Sequence, residues 1–309
     1  MISKIFSAAV IGLDAALIEV EADVTNGLPA TIIVGLPDTA VQESKERVKT
    51  AIKNSGSSYP PTRVSVNLAP ADVPKLGTHF DLPIALAIMQ AFEQLNFDAN
   101  GKMFLGELAL DGKLRPVPGV LAVALFAKSF GTTELFVPRA NVKEACLVSG
   151  LKIYPVDDLS QLLGHLLKVK LILEEPVENP ENILQNYQAS LDMKDISGQE
   201  LAKRALEIAA SGGHNILLSG PPGSGKTLLA RAMSGILPDL SVEEALELTK
   251  IYSIAGKLSG SFVTSRPVRS PHHTTSNVAL VGGGATPRPG EITLSHRRIL
   301  FLDEFPEFP

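Results

Sequence analysis

The chemistry of this chain is indicated most strongly by residues 220–227, which match the phosphate-binding pattern Gly-x-x-x-x-Gly-Lys-Ser/Thr at every fixed position. The glycines allow successive backbone N–H groups to turn toward a phosphate at the start of the following helix. The lysine would reach the β- and γ-phosphates, and the threonine hydroxyl would bind Mg²⁺. The sequence therefore predicts an ATP site formed by Gly220, Pro221, Pro222, Gly223, Ser224, Gly225, Lys226 and Thr227.

Two acidic residues supply the second part of the predicted site. Residues 299–302 are Ile-Leu-Phe-Leu, a run typical of a strand buried in the middle of a parallel sheet. Asp303 would then emerge at the carboxyl end of the strand, where it can hold Mg²⁺ directly or through water. Glu304 would point the other way and is the candidate to orient and deprotonate the attacking water. We therefore predict Lys226 and Glu304 as catalytic residues, and Thr227 and Asp303 as Mg²⁺ ligands.

The flanking sequence supplies the elements that must position these residues. Residues 215–218 form a short apolar run that favours a buried strand before the loop, and residues 228–233 favour a helix after it. A further helix is predicted through residues 201–209, ending at Gly212-Gly213. These elements predict a parallel-sheet α/β domain over residues 193–309.

Residues 1–172 alternate between strand and helix signals, which predicts a separate domain of mixed α and β structure. Apolar and acidic residues alternate strictly over residues 18–24, and Asn26-Gly27 favours a hairpin to a second strand at residues 30–34. Residues 173–192 are acidic and proline-containing, and they are predicted to be a linker. Helices are predicted at 39–54, capped by Asp38 or Thr39, at 82–95, capped by Asp81, and near 117–129 and 141–148. Strands are predicted at 64–68, 103–105 and 135–137, and a small strand and helix within 152–167.

Composition limits the class of protein. The chain has 309 residues, 45% of them apolar and 20% charged, as in ordinary globular proteins. Its single cysteine, Cys146, excludes an internal disulfide and lies in an apolar run, so we interpret it as a core residue in a reducing compartment. No apolar stretch approaches the roughly 20 residues that span a bilayer. We therefore expect a cytoplasmic protein without a membrane partner.

The distribution of charge leaves two interpretations open. The net charge of −5 gives no general reason to expect nucleic acid, but residues 251–298 contain six basic residues and a single acid, Glu291. A polyanion contact and a role for these arginines at ATP or at subunit contacts are equally compatible with this pattern. His272 and His273 would point apart on a helix or strand and would make a poor metal pair. We favour a polar loop that contacts DNA or a neighbouring subunit over a structural role.

With both nucleotide motifs present, the chain resembles the magnesium-chelatase-like branch of the AAA+ ATPases, specifically the bacterial proteins of the ComM/YifB type. The resemblance covers essentially the whole chain. Two segments of the first half are similar to the first domain of that family, which shares the ribosomal S5 domain 2-like fold of the catalytic domain of Lon protease. Beyond the nucleotide motifs, the resemblance is carried by residues 35–38, 80–85, 269–276, 282–284 and 287–296.

The resemblance implies a hexameric, ATP-driven DNA motor, a branch-migration helicase used in recombination, with Mg²⁺ as cofactor and the histidine loop facing the pore. Two alternatives stay open. One is a chelatase-type ATPase that remodels a metal-insertion complex, which is less favoured because the chelatase ATPase subunit lacks a first domain of this kind. The other is a nucleotide-binding remnant without turnover. The chain ends soon after Glu304, before the sensor-1 strand, arginine finger and lid of a complete AAA+ module, so we expect binding without efficient hydrolysis.

The likeness to Lon protease also raises a peptidase hypothesis, which the residues argue against. Proteolysis of the Lon type needs a serine nucleophile and a lysine base within hydrogen-bond reach. Residues 77–81 contain no serine, and residues 116–122 contain no lysine. Thr78 without a positioned base would be inert, so we expect the first domain to be a structural or partner-binding module.

Overall fold

The computed structural model describes residues 2–184, 191–266, 268–284 and 287–308, and it divides into two compact units, Met1–Glu178 and Asn179–Pro309. Both units combine helices with strands, and parallel strand pairs occur in each, which confirms the predicted α/β class. Among the described residues, no helix combines the length and the apolar character needed to cross a bilayer.

The first unit is built on a four-stranded sheet with the spatial order β1-β2-β4-β3. Strand β2 pairs antiparallel with both β1 and β4, and β3 pairs parallel with β4. The predicted hairpin between residues 18–24 and 30–34 is therefore wrong. A strand has only two edges, and the edges of β2 are taken by β1 and β4. The four strands are β1 (Ser3–Ile11), β2 (Asp14–Thr25), β3 (Ala30–Val34) and β4 (Arg63–Ala69).

Helix α1 (Thr39–Asn54) confirms the predicted helix and its cap. The Asp38 side chain accepts a hydrogen bond from the Val41 backbone N–H at 2.8 Å, which satisfies one of the free donors of the first turn. Val41, Val48 and Ile52 are fully buried on the face that packs into the core. The apolar spacing in the sequence therefore identified the buried face correctly.

Helix α2 (Asp81–Ala91) begins differently from the prediction, because Asp81 lies inside the helix and does not cap it. Its carboxylate is almost fully buried and accepts two hydrogen bonds from Arg47, 2.8 Å from Nε and 3.0 Å from Nη2, and a third from the Leu108 N–H at 3.2 Å. Burial raises the pKa of Asp81, and the bonds from Arg47 oppose that shift. A buried carboxylate needs such partners, and this requirement outweighs capping.

The rest of the first unit surrounds a three-stranded parallel sheet in the order β5-β8-β9. The rings of Phe104 and Phe136, on neighbouring strands, stack at 4.8 Å between centroids inside the core. The short strands β6 and β7 form an antiparallel pair. The elements are β5 (Lys102–Phe104), β6 (Glu107–Leu108), β7 (Leu114–Arg115), α3 (Val120–Phe130), β8 (Glu134–Pro138), α4 (Val142–Ala145), β9 (Lys152–Val156) and α5 (Leu159–Leu166).

Cys146 follows α4 as a free and fully buried thiol. Burial raises its pKa to about 12. Because the thiolate is the reactive form of cysteine, this side chain behaves as a small apolar residue, as the sequence predicted.

The regular structure of the second unit consists mainly of helices, with short strand pairs. Helix α7 confirms the helix predicted to end at Gly212-Gly213, and its residues Leu206 and Ala209 pack with Leu229 of α8. Part of the predicted linker, residues 185–190, lies outside the described residues. The elements are α6 (Pro180–Leu184), α7 (Glu200–Gly212), α8 (Lys226–Ala232), α9 (Val242–Ile254), β10 (Val268–Arg269), α10 (Asn277–Val281), β11 (Gly282–Gly283), β12 (Arg288–Pro289), α11 (Glu291–Leu294) and β13 (Ile299–Leu300).

The buried strand predicted at residues 215–218 is wrong. This segment forms no strand, and the side chains of Ile216 and Leu217 are 37% and 83% exposed. An apolar run becomes a strand only where a neighbouring strand offers hydrogen-bond partners, and within the described ranges none pairs with this segment. The helix predicted after the phosphate loop is confirmed by α8.

The Arg47–Asp81 pair generates a stability prediction. Replacing Arg47 by Ala leaves the Asp81 carboxylate buried without its charged partner, so we expect a loss of about 3–5 kcal/mol in the free energy of unfolding. Denaturant titration followed by circular dichroism measures this loss. Lys4→Ala, which breaks the partly exposed pair between Lys4 and Glu19, serves as control and should cost at most about 1 kcal/mol. Equal losses in the two variants would contradict the importance of the buried pair.

Candidate nucleotide-binding site

The phosphate loop reaches helix α8 through two glycines in the left-handed region. Gly223 has φ +78° and Gly225 has φ +87°, conformations that residues with a Cβ atom adopt at a cost. A Cβ atom at Gly220 would lie 3.1 Å from the Ser224 hydroxyl, which is tighter than ordinary contact. The path of this loop therefore depends on the glycines of the pattern.

Lys226, the first residue of α8, folds back over the mouth of the loop. Its Nζ donates to the backbone carbonyls of Gly220 at 2.9 Å and Pro221 at 3.0 Å. An ammonium group has three donors, so one remains for another acceptor. An anion held by the loop could therefore replace the two carbonyls as an acceptor for the three N–H donors of this ammonium group.

Thr227 and Asp303, which are 76 positions apart in the chain, come together beside the loop. The Thr227 Oγ1 donates to the Asp303 Oδ2 at 3.3 Å. Mg²⁺ binds oxygen ligands at about 2.0–2.1 Å in octahedral geometry, so neighbouring ligands of one ion lie about 3 Å apart. The two side chains therefore fit the predicted Mg²⁺ site in chemistry and in separation.

Asp303 follows β13, which pairs in parallel with β10 and whose Ile299 packs against the apolar cluster that contains Leu229 of α8. Val268 is opposite Ile299, Arg269 is opposite Leu300, and the Phe301 N–H continues the pairing by donating to the Arg269 carbonyl at 2.8 Å. The predicted strand differs in extent, since β13 contains only two residues and residues 299–302 are half-buried. Among the described residues β13 pairs with one strand, whereas the central strand of a sheet pairs with a strand on each edge.

Glu304 directly follows Asp303 but is engaged by another residue. Its carboxylate Oε2 lies 3.0 Å from the Nδ1 of His273, and its backbone is left-handed with φ +55°. Its N–H donates to the other carboxylate oxygen of Asp303 at 3.2 Å. The sequence did not reveal His273 as a partner of Glu304. The available signal was the direction of the strands, because residues that follow two parallel strands leave the sheet at the same edge.

The two histidines do not point apart as predicted. Their ring centroids are 4.2 Å apart, and the Nδ1 of His272 lies 2.9 Å from the Thr274 hydroxyl. The prediction assumed a helix or strand, whereas this segment is a turn, in which successive side chains can lie on the same side.

Two family models and several known proteins are similar to this chain. The family model described as "Magnesium chelatase, subunit ChlI" matches residues 192–309, and the model "Subunit ChlI of Mg-chelatase" matches residues 20–141. YifB of Escherichia coli, described as uncharacterized, is 46% identical over 99% of this chain and 60% of its own length. An uncharacterized protein of Mycobacterium tuberculosis is 43% identical over 99% of the chain and 61% of its own length. Competence protein ComM of Haemophilus influenzae is 43% identical over 98% of the chain and 60% of its own length.

The chain belongs to the magnesium-chelatase-like ComM/YifB family. It spans about three fifths of the length of these relatives. Family membership makes the use of a nucleotide and Mg²⁺ the expected chemistry, and the residues around Thr227 and Asp303 are suited to both.

Four of the six basic residues of the segment 251–298 form ion pairs within the chain, with three acids between them, which neither interpretation of the segment anticipated. Arg269 makes a two-pronged ion pair with Glu291, which also lies 3.5 Å from Lys257. Arg266 pairs with Glu244, and Arg297 contacts Glu244 and Glu247. The acids at 244 and 247 lie just before the segment, so counting charges inside it overstated its free positive charge.

The two remaining arginines of the segment differ sharply. Arg298 lies over the ring of Tyr252 at 4.3 Å, and burial lowers its pKa to about 10. Arg288 is exposed and forms no ion pair with any described residue. Of the six basic residues, Arg288 is the one presented to solvent without a described partner.

Arg266 generates a second stability prediction. Its guanidinium donates to the carbonyls of Pro238 and Arg297, both at 2.7 Å, and of Asp239 at 3.3 Å, in addition to its pair with Glu244. Arg266→Ala leaves these acceptors without a donor, so we expect a loss of about 3–5 kcal/mol in the free energy of unfolding.

Arg288→Ala is the matched control for Arg266→Ala and should stay within about 0.5 kcal/mol of the parent protein. Hydrogen exchange of the amides in α9, followed by mass spectrometry, measures both effects within the second unit. Unchanged protection of the α9 amides in the Arg266→Ala variant would contradict the stabilising role of Arg266.

Proposed function

We propose that residues 220–227, together with Asp303 and Glu304, form the ATP and Mg²⁺ site of an AAA+ ATPase. One observation carries this proposal: the Thr227 hydroxyl and the Asp303 carboxylate, far apart in sequence, meet at 3.3 Å beside the glycine loop. A hydroxyl and a carboxylate at this separation suit one magnesium ion, and the adjacent loop suits the phosphates.

The proposed roles follow from the contacts of each side chain. Lys226 would exchange its bonds to the loop carbonyls for bonds to the phosphates. Thr227 and Asp303 would hold Mg²⁺, and Glu304 would orient and deprotonate the attacking water. When bound, Mg²⁺ supplies neutralisation of the phosphate charge. These roles assign binding and chemistry to the residues that the sequence pattern identified.

We further propose that the whole protein is a hexameric ring motor that acts on DNA in the cytoplasm, of the branch-migration type. Support comes from the similarity to competence protein ComM and from two features of the second unit. Residues 270–276 offer hydroxyl and imidazole groups and no acid, and Arg288 is an exposed cation. In this proposal, residues 1–172 form a non-proteolytic domain of the ribosomal S5 domain 2-like type, residues 173–192 a linker, and residues 193–309 part of the AAA+ module.

The second candidate function is a chelatase-type ATPase that remodels a metal-insertion complex. It is favoured by the descriptions of both family models, including the one that matches residues 20–141. That match weakens the argument that a chelatase subunit lacks such a first domain. Stimulation of ATP hydrolysis by DNA, measured on a protein of the full length of the relatives, favours the motor; absence of stimulation favours the chelatase-type function.

The nucleotide site is tested by binding of a fluorescent ATP analogue in the presence of Mg²⁺. Lys226→Ala removes two to three charge-assisted bonds, so we expect about 100-fold weaker binding. Glu304→Gln keeps the loop and both Mg²⁺ ligands, so we expect affinity within a few-fold of the parent protein and no hydrolysis.

Lys194→Ala is the control for loss of a lysine in the same unit, because Lys194 is exposed and pairs with Asp192. It should bind the analogue like the parent protein. Equal affinity in the parent protein and in the Lys226 variant would contradict the assignment of the phosphate loop.

A further inference from the structure

The outer edge of strand β1, in the first unit, borders a cavity that the proposed nucleotide site does not use. Strand β1 pairs with β2 along one edge, and within the described part of the chain no strand pairs with its other edge. Near Ser7 strand β5 lies beside β1, because the Ser7 hydroxyl donates to the Phe104 carbonyl at 2.9 Å. Toward Ile2 a cavity of about 540 Å³ separates the start of β1 from residues 93–100. An open strand edge of this kind presents main-chain groups with which another extended segment can pair.

This cavity, which we call the β1 groove, has the size of a binding site and extends along the strand. Its volume lies within the range of known ligand pockets. The half-buried rings of Phe6 and Phe97 and the buried Leu95 give it an apolar side. A smaller cavity of about 210 Å³ shares Phe6 and Asn100 with it and reaches Thr132. The adjoining cavities suit an extended chain better than a compact ligand.

One buried polar atom in the wall of the β1 groove lacks a partner. Gln90, in the last turn of α2, donates through Nε2 to the Phe97 carbonyl at 3.0 Å. Its Oε1 is buried and accepts no hydrogen bond from any described residue. Buried amide oxygens without a donor are rare, because each one loses its bonds to water without compensation. An N–H group of a ligand in the groove would supply the missing bond.

The charges around the β1 groove favour a basic ligand. Its two lysines, Lys4 and Lys102, each form an ion pair with a glutamate, at 2.6 Å and 3.4 Å. Glu93 and Asp98 are exposed and form no ion pair with any described residue. Helix α2 ends at the same wall, and the last turn of this helix contains no basic residue to balance the partial negative charge of a helix carboxyl end. Lysine or arginine side chains of a ligand would complement this wall.

We propose that the β1 groove binds an extended peptide segment of a partner protein, in which an apolar side chain is flanked by lysine or arginine. The segment pairs with the open edge of β1, which is a common mode of peptide recognition. Its apolar side chain packs against Phe6 and Phe97, and its basic side chains contact Glu93 and Asp98. One of its N–H groups bonds to the Oε1 of Gln90. The groove lies within the first unit, so this inference is independent of the proposed ATP site.

The first test measures binding of a designed probe to the 309-residue protein by fluorescence anisotropy. The probe is the fluorescein-labelled peptide Lys-Val-Lys-Phe-Lys-Val-Lys, used also with leucine or isoleucine in place of phenylalanine. A comparison peptide has glutamate in place of every lysine. We expect saturable binding of the basic probe and no binding of the acidic peptide. Failure of all three basic peptides to bind, or equal binding of the acidic one, overturns the proposal.

Charge-removing variants locate the contact on the protein. Glu93→Gln combined with Asp98→Asn removes two charges and keeps the shape of the wall, so we expect about tenfold weaker binding of the probe. The matched control combines Glu43→Gln with Glu46→Gln, which removes two exposed charges from α1. This control should bind the probe like the parent protein. Equal weakening in the two double variants would show a general attraction of cations and would overturn the proposal.

N-methylated probes test the main-chain pairing. One version carries methyl groups on the valine and phenylalanine nitrogens, and the other carries them on the lysine nitrogens. Because a strand pairs through the alternate residues of one edge, at least one version should bind about tenfold more weakly or worse, at unchanged charge. If both versions bind like the parent probe, the groove takes a cation without pairing and the proposal is wrong.

The position of the bound probe is read from ¹H–¹⁵N correlation spectra. We expect shifts of the amides of residues 2–6 and 93–102 and of the side-chain amide of Gln90, which Gln90→Leu assigns. Shifts confined to other parts of the chain overturn the proposal. Sedimentation of the protein without the probe tests a second copy as the occupant. Dimers that the probe dissociates would assign the groove to self-association and would also overturn the proposal.

Discussion

The parallel pairing of β10 with β13 is the constraint on which the candidate site depends. Because both strands run in the same direction, the segments that follow them leave the pair at one edge. Glu304 thereby reaches His273. The contact of Asp303 with Thr227 also needs helix α8 beside the pair, and Ile299 of β13 packs against the apolar cluster that contains Leu229 of α8. The bond from the Phe301 N–H to the Arg269 carbonyl extends that register toward the acidic residues.

In the second unit, several charged side chains of the basic segment are engaged in ion pairs within the chain. Glu244, Glu247 and Glu291 bind arginines of the basic segment, so about half of its positive charge is compensated inside the chain. For the proposed DNA contact, the candidate groups in this unit are Arg288, which is exposed, and the polar side chains of the loop at residues 270–276. Such a contact would have a weaker dependence on salt than the charge count of the segment suggests.

The sequence was sufficient wherever structure depends on near neighbours. Helix α1 with its cap Asp38, helix α7 and the glycine loop were predicted, because capping, periodicity and loop conformation act within a few residues. The hairpin of β2 with β3 and the strand at residues 215–218 were wrong, because partner choice depends on strands distant in sequence. In the site, too, local signals were sufficient for some residues and not for others. The pattern predicted Asp303, but the contact of His273 with Glu304 depends on a strand register that local signals do not contain.

In the proposed site, a nucleotide and Mg²⁺ are held between the glycine loop and Asp303. A crystal structure of the protein with Mg²⁺ and a non-hydrolysable ATP analogue tests this assignment. We expect the Thr227 hydroxyl to bind the metal, Asp303 to bind it directly or through one water, and Lys226 to contact the β- and γ-phosphates. A nucleotide bound elsewhere, or a metal beyond the reach of Asp303, would contradict the assignment.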